Sequence, residues 1–213
     1  MKYLLKISRI ILGLVFIFSG FVKGVDPLGT AYKINDYFEA YKMIWAQPLS
    51  LTLSILLCTF EFTLGVMLLL RIRMKLTSWL VLLMMSFFTV VTFYDAIANP
   101  VPDCGCFGDA IKLTNWQTFW KNVVLMVLVI PLFVYRKKYE PWMTQIKEYI
   151  LIAAFAGLFG FFSLYNYNNL PVIDFLQWKV GNKMLSDNPM PSKFYLTYKN
   201  KQTNETKEYL SNE

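Results

Sequence analysis

The sequence contains no histidine. The usual imidazole base and the commonest side-chain metal ligand are therefore missing. That excludes a Ser-His-Asp hydrolase, a zinc protease of the His-Glu-x-x-His type and a His-ligated haem protein, and no metal site is read. Cysteine is scarce too, with three residues in 213. Basic residues outnumber acidic ones, 21 to 14, for a net charge of +7. They gather at the ends of apolar runs, where they read as membrane-topology signals rather than as a phosphate-binding stripe, so no nucleic-acid partner is expected. No internal repeat is evident.

What the chain has is apolar mass. Hydrophobic residues make up 56% and aromatics 17%, the composition of a membrane protein in contact with a lipid bilayer. Tyr3 to Val22 is the first run, long enough to cross a bilayer as a helix. Lys2, Lys6 and Arg9 open it, and no small-residue cleavage site follows, so it reads as a retained span rather than a signal peptide. Leu49 to Leu70, Leu76 to Ala98, Trp116 to Tyr135 and Ile146 to Tyr165 are the second to fifth runs. In the fifth, Ala153, Ala156, Gly157 and Gly160 form small-xxx-small pairs that permit close helix contact.

Between the first two runs, Ile34, Tyr37, Phe38, Tyr41, Ile44 and Trp45 recur at helical spacing opposite Lys33, Asn35, Asp36, Glu39 and Lys42. The pattern fits a helix lying in the membrane interface, and equally one capping the mouth of the bundle. The expected fold is all-α: a polytopic membrane protein with a four-helix transmembrane bundle, a fifth transmembrane helix and an interfacial amphipathic helix. The expected division is 1–140 for the bundle, 141–170 for the added span and 171–213 for a polar extracytoplasmic segment. That last segment lacks the apolar mass for its own core and could be the start of a further domain; the sequence does not say whether the native chain continues beyond Glu213.

Basic residues cluster at the N-terminus, at Arg71, Arg73 and Lys75, and at Arg136, Lys137 and Lys138. The positive-inside rule puts these on the cytoplasmic side of a bacterial inner membrane and the C-terminus in the periplasm. The loop Val101-Pro102-Asp103-Cys104-Gly105-Cys106-Phe107-Gly108-Asp109-Ala110 then lies outside, where disulfides form and persist. Gly105 lets Cys104 and Cys106 close a small ring whose departure from relaxed geometry favours exchange over stapling. Asp103 and Asp109 disfavour the reactive thiolate, with Lys112 or a helix N-terminus as counterweight. Cys58, mid-span, reads as an ordinary buried thiol.

Two acids sit where charge is costly. Glu61, near the middle of the second span, costs roughly 2.5 to 3.5 kcal/mol to insert. It reads either as a proton relay or as a cross-helix hydrogen-bond partner of Ser19 or Asn122. Asp95 reads either as a proton acceptor for the cysteines or as a partner of Lys23 or Lys121. Phe93, Tyr94, Trp116 and Trp120 gather near the outer ends of two spans; they could stack a quinone or simply form an interfacial belt.

Arg9-x3-Gly13-x2-Phe16-x2-Ser19-Gly20-x2-Lys23 followed by Asp26-Pro27, then Glu61-x3-Gly65, then Cys104-Gly105-Cys106-Phe107-Gly108 with Trp116, Phe119 and Asn122, resemble the motifs of DoxX/MauE-type membrane proteins. The cysteine motif resembles the MauE branch in particular, and the likeness covers residues 4–135. It implies a four-helix membrane bundle. MauE is associated with methylamine utilisation and maturation of a disulfide-rich periplasmic dehydrogenase, and DoxX relatives with quinone-coupled sulfur oxidation. The fifth span and tail look like an extension found in relatives with a further periplasmic part.

The leading expectation is an inner-membrane component of periplasmic thiol–disulfide chemistry. Cys104 and Cys106 exchange with a periplasmic or membrane protein, Glu61 or Asp95 handles protons, and a bilayer quinone is the electron acceptor, no cofactor being required for the exchange itself. The alternative is a non-catalytic scaffold or partner subunit of a larger envelope complex whose cysteine loop is structural. A small-solute or lipid-binding bundle rests on Glu61 alone.

Overall fold

A computed structural model describes residues 2–101, 104–108, 110–169, 171–173 and 175, together with the backbone of 194–199 and 206–211. The chain divides into Met1–Leu176 and Gln177–Glu213. The first unit is helical: α1 (Lys2–Val25), α2 (Pro27–Ala40), α3 (Ser50–Leu69), α4 (Met74–Ala98), α5 (Asn115–Val134) and α6 (Gln145–Asn168). Five of these, α1 and α3 to α6, are long and apolar enough to cross a membrane. The protein is an all-α polytopic membrane protein in its described helical unit. In the second unit, Phe194–Lys199 (β1) and Thr206–Ser211 (β2) pair antiparallel, Phe194 opposite Ser211 and Lys199 opposite Thr206. That hairpin lies in what the sequence presents as a featureless polar segment. Its aromatic and β-branched run Phe-Tyr-Leu-Thr-Tyr has the composition that favours strands.

The bundle is organised by one crossing. A Cβ on Gly20 would lie 2.6 Å from the Phe62 backbone nitrogen, and one on Gly65 would lie 2.6 Å from that of Ile17. α1 and α3 therefore touch backbone to backbone, closer than any side chain permits. The fifth span is different. Around Gly157 there is nothing within 4 Å, and Gly160 faces Thr59 no nearer than 3.8 Å. The small residues of α6 do not make the close contact expected of them. α6 is held by Phe159 instead, stacked on Phe62 at 4.0 Å and filling the space over Gly24.

α4 packs chiefly on α5, and the apolar core runs through Leu12, Leu64, Leu68, Val81, Leu125 and Val129. At the basic end, Arg9 donates to the carbonyls of Leu68 and Leu69, and Trp142 Nε1 donates to Leu70 O at 2.6 Å. These donors satisfy carbonyls that the end of α3 leaves without intrahelical partners. α2 starts at Asp26, whose carboxylate accepts from Gly29 N at 2.9 Å. Its buried face is Pro27, Thr30 and Ala31. Ile34, Tyr37, Phe38 and Tyr41 roof a cavity within the bundle, whereas Ile44 and Trp45 are exposed. Of the two placements the amphipathic pattern allows, α2 caps the bundle.

Candidate functional site

The cysteine loop is tied to the bundle at both ends. α4 stops at Asn99 in a left-handed conformation. Asn115 Nδ2 reaches Asn99 Oδ1 at 3.1 Å and the carbonyls of Val101 at 3.1 Å and Asp95 at 3.3 Å. A reciprocal capping box between Thr114 and Gln117 then starts α5. Gly105 has φ +63°, a conformation that favours glycine, with Lys33 Cγ 3.0 Å from where a Cβ would stand. Phe107 anchors the turn, edge-on to Phe18 at 5.5 Å with Lys121 Nζ 4.3 Å from its ring centre.

Cys104 Sγ and Cys106 Sγ lie 3.4 Å apart as half-buried free thiols. The two are unequal. Hydrogen bonding from Cys104 outweighs burial and, helped by the Lys121 and Lys23 cations against the opposing Glu61 charge, brings Cys106 down to about 6. Cys104 is pushed far up, first by that same hydrogen bond to Cys106 and then by burial. Either sulfur can donate to the other across 3.4 Å, and the Lys121 and Lys23 cations favour Cys106 as the one that ionises.

Beneath Cys106, Lys23 Nζ sits 2.6 Å from both Glu61 oxygens, and the two side chains are only 5% and 4% exposed. Ser19 Oγ lies 2.9 Å from Glu61 Oε2 and 2.8 Å from the Cys106 carbonyl oxygen. A hydroxyl has a single proton to give, so it serves one acceptor at a time. The Ser19 partnership is as expected for Glu61. The one with Asn122 is not formed, because Asn122 Nδ2 turns to Thr92 Oγ1 at 3.1 Å. Asp95 pairs with neither Lys23 nor Lys121. Lys23 is taken by Glu61, and Asp95 Oδ2 accepts from the Tyr37 hydroxyl at 2.6 Å. Tyr37 lines the same cavity as Cys104, and burial, the charge of that cysteine and Asp95 all raise its titration.

Both sulfurs line a cavity of about 290 Å³ with Phe16, Phe38, Phe88 and Leu125 on its apolar walls. Three of its lining residues, Phe87 near the middle of α4 and Tyr41 and Met43, are exposed. Tyr94, Trp116 and Trp120 do not line it; they are 49%, 50% and 60% exposed, with Trp116 and Trp120 packed around Phe119. Cys58 is fully buried, its Sγ 3.2 Å from Ile55 O and 3.5 Å from Ser163 Oγ. Among the described residues no group of three or more cysteine or acidic side chains could hold a metal ion. Pro102, Asp103 and Asp109 lie outside the described residues.

Sequence reasoning missed three members of this site: Lys23 as the partner of Glu61, Lys121 as a cation for sulfur, and Tyr37. A signal existed for the first. Ser19 and Lys23 are four residues apart on one helical face, and a mid-span acid demands a cation at similar depth.

A relative, "Protein TlpB" of Flavobacterium psychrophilum, is 25% identical over 137 residues, 62% of this chain and 37% of that protein. The chain thus spans little more than a third of the length of this curated relative. No solved structure matches the chain. The family model described as methylamine utilisation protein MauE matches residues 1–135, taking in the glycine crossing, the Lys23–Glu61 pair and the cysteine loop. On that match, the chain belongs to the MauE family.

Proposed function

We propose that this protein is the membrane component of an extracytoplasmic thiol–disulfide exchange system, with Cys106 as nucleophile and Cys104 as resolving thiol. The observation that carries the reading is the unequal thiol pair, 3.4 Å apart on the wall of a cavity with Lys121 and Lys23 nearby. Cys106 thiolate attacks a partner disulfide, forming a mixed disulfide and releasing one partner thiolate. Cys104 then attacks Cys106 Sγ, closing the intramolecular disulfide and releasing the second partner sulfur. Run in reverse from the Cys104–Cys106 disulfide, the sequence oxidises a partner dithiol and leaves the cysteines reduced, and this is the direction that an electron acceptor completes.

A bilayer quinone is the proposed electron acceptor: dithiol plus quinone gives disulfide plus quinol, two electrons and two protons passing together. The largely apolar cavity, close to the lower size limit of small-molecule sites, supports this choice. So does the exposure of its lining residue Phe87 near mid-helix on α4, at a depth that lipid would surround. Glu61 and Asp95 are the proposed proton holders. The basic end is assigned to the cytoplasm of a bacterial inner membrane and the loop to the periplasm, where a soluble or membrane-bound partner docks. The bundle through residue 140, the span through 170 and the remainder are proposed as separate parts, and the bundle as a relative of DoxX-type proteins.

Trapping in intact cells tests the reading. A Cys104→Ser variant should accumulate a mixed disulfide with its partner, and Cys106→Ser should not. If neither variant traps a partner and the double variant supports full function, the loop is structural and the protein a scaffold. A membrane-impermeant maleimide should label the reduced loop from outside; labelling only after lysis reverses the orientation.

A further inference from the structure

We propose that Tyr37 and Asp95 form a proton relay dedicated to the resolving thiol, so that α2 contributes a catalytic residue to the site. The inference rests on the exchange reading above.

In the resting state the Cys104 proton has an acceptor, the Cys106 thiolate. Once Cys106 enters a mixed disulfide, that negative charge is gone. Cys104 must lose its proton to attack, and Tyr37 shares the cavity wall with it, close enough for each to shift the other's titration. Tyr37 in turn donates to Asp95 Oδ2 at 2.6 Å, the short distance of a charge-assisted bond. Asp95 is wholly buried, and among the described residues its Oδ1 has no hydrogen-bond partner. A buried carboxylate oxygen left unsatisfied is costly and calls for an explanation. A carboxylate that takes up a proton during turnover supplies one.

The step balances. Cys104 Sγ attacks Cys106 Sγ, the bond from Cys106 to the partner sulfur breaks, and the partner departs as thiolate. Tyr37 passes its proton to Asp95 as it takes the one from Cys104. Asp95 then releases a proton to the departing sulfur or to water. In this step Tyr37 acts on the reacting sulfur directly, and Asp95 acts through it as a positioning residue. The titratable groups around this chain are Lys33 from α2 and Tyr41 at its end, Tyr94 from α4, Lys121 from α5, Lys23 from α1 and Glu61 from α3.

The test uses the full chain in detergent and the aromatic disulfide dithiobis(nitrobenzoate). Attack by Cys106 releases one chromophore in a bimolecular phase, and closure by Cys104 releases the second in a unimolecular phase. Tyr37→Phe and Asp95→Asn should each slow the second phase roughly 100-fold, within the usual range for a lost general base. The first phase should stay within about twofold of wild type. Between about pH 6 and 8 the second phase of Tyr37→Phe should steepen to about tenfold per pH unit, the slope of a thiol that must ionise to solvent; wild type should rise far less. A second phase unchanged in rate and slope in both variants overturns the relay and leaves exchange standing. Loss of both phases in step, in both variants, makes the pair structural and also overturns it. If wild type releases no chromophore, the exchange reading falls and the relay with it.

Discussion

The two ends of the bundle both hold cations, and they use them differently. At the basic end, Arg9 and Arg136 spend their guanidinium protons on backbone carbonyls, those of Leu68, Leu69 and Phe133. These groups finish helices. At the cysteine end, Lys23 is buried against Glu61 and Lys121 rides over Phe107, both near enough to Cys106 to shift its proton equilibrium. Charge completes the fold at one end and tunes a sulfur at the other. Substitutions at the two ends should therefore separate stability from thiol chemistry.

The largest effect is expected where both depend on one contact. Gly65→Leu forces a side chain into the Ile17 backbone, and it should prevent recovery of monodisperse protein by size exclusion. Glu61→Ala leaves Lys23 buried without its counter-ion and should cost about 3–5 kcal/mol, read as loss of thermal stability in detergent. Arg9→Met, at the opposite end, should cost about 1.5–3 kcal/mol through its lost charged hydrogen bonds. It should leave the pH dependence of Cys106 alkylation where it was. Lys121→Met should do the reverse. Removing the cation disfavours the thiolate, so the inflection in alkylation rate should move up from about 6 by roughly one pH unit, with stability little changed. Trp120→Ala, a surface change away from the cavity, should stay within about 0.5 kcal/mol and leave the inflection in place. A shift of that inflection in Arg9→Met, or its absence in Lys121→Met, would erase the distinction between the ends.

Much of this architecture is legible in the sequence because bilayer-length apolar runs leave little choice. All five expected spans fall on helices whose limits differ by a few residues. The cysteine loop is legible as well, since Cys-Gly-Cys stands alone among apolar runs. Pairings are harder to read. Glu61, Asp95, Lys23 and Lys121 are all visible as out-of-place charges, but which meets which depends on the register and rotation of helices against one another. The expected Asp95–lysine pair reflects nearness to the outer end of a span; the close approach at Gly20 gives Lys23 to Glu61 instead. Tyr37 is hidden for another reason. In a mixed amphipathic segment an aromatic at helical spacing looks like packing, and only the position of α2 over the cavity brings its hydroxyl to Asp95 beside the cysteine loop.

The bare contact at Gly20 has a consequence for how variable the site can be. Main chains pressed together leave no intervening rotamer to adjust, so the span between the Lys23 ammonium and the Glu61 carboxylate is inherited from backbone geometry. Changes around the exposed Phe87 can reshape the cavity wall without moving that pair. The ionic floor under Cys106 stays where the two helices cross, a fixed base beneath a variable wall.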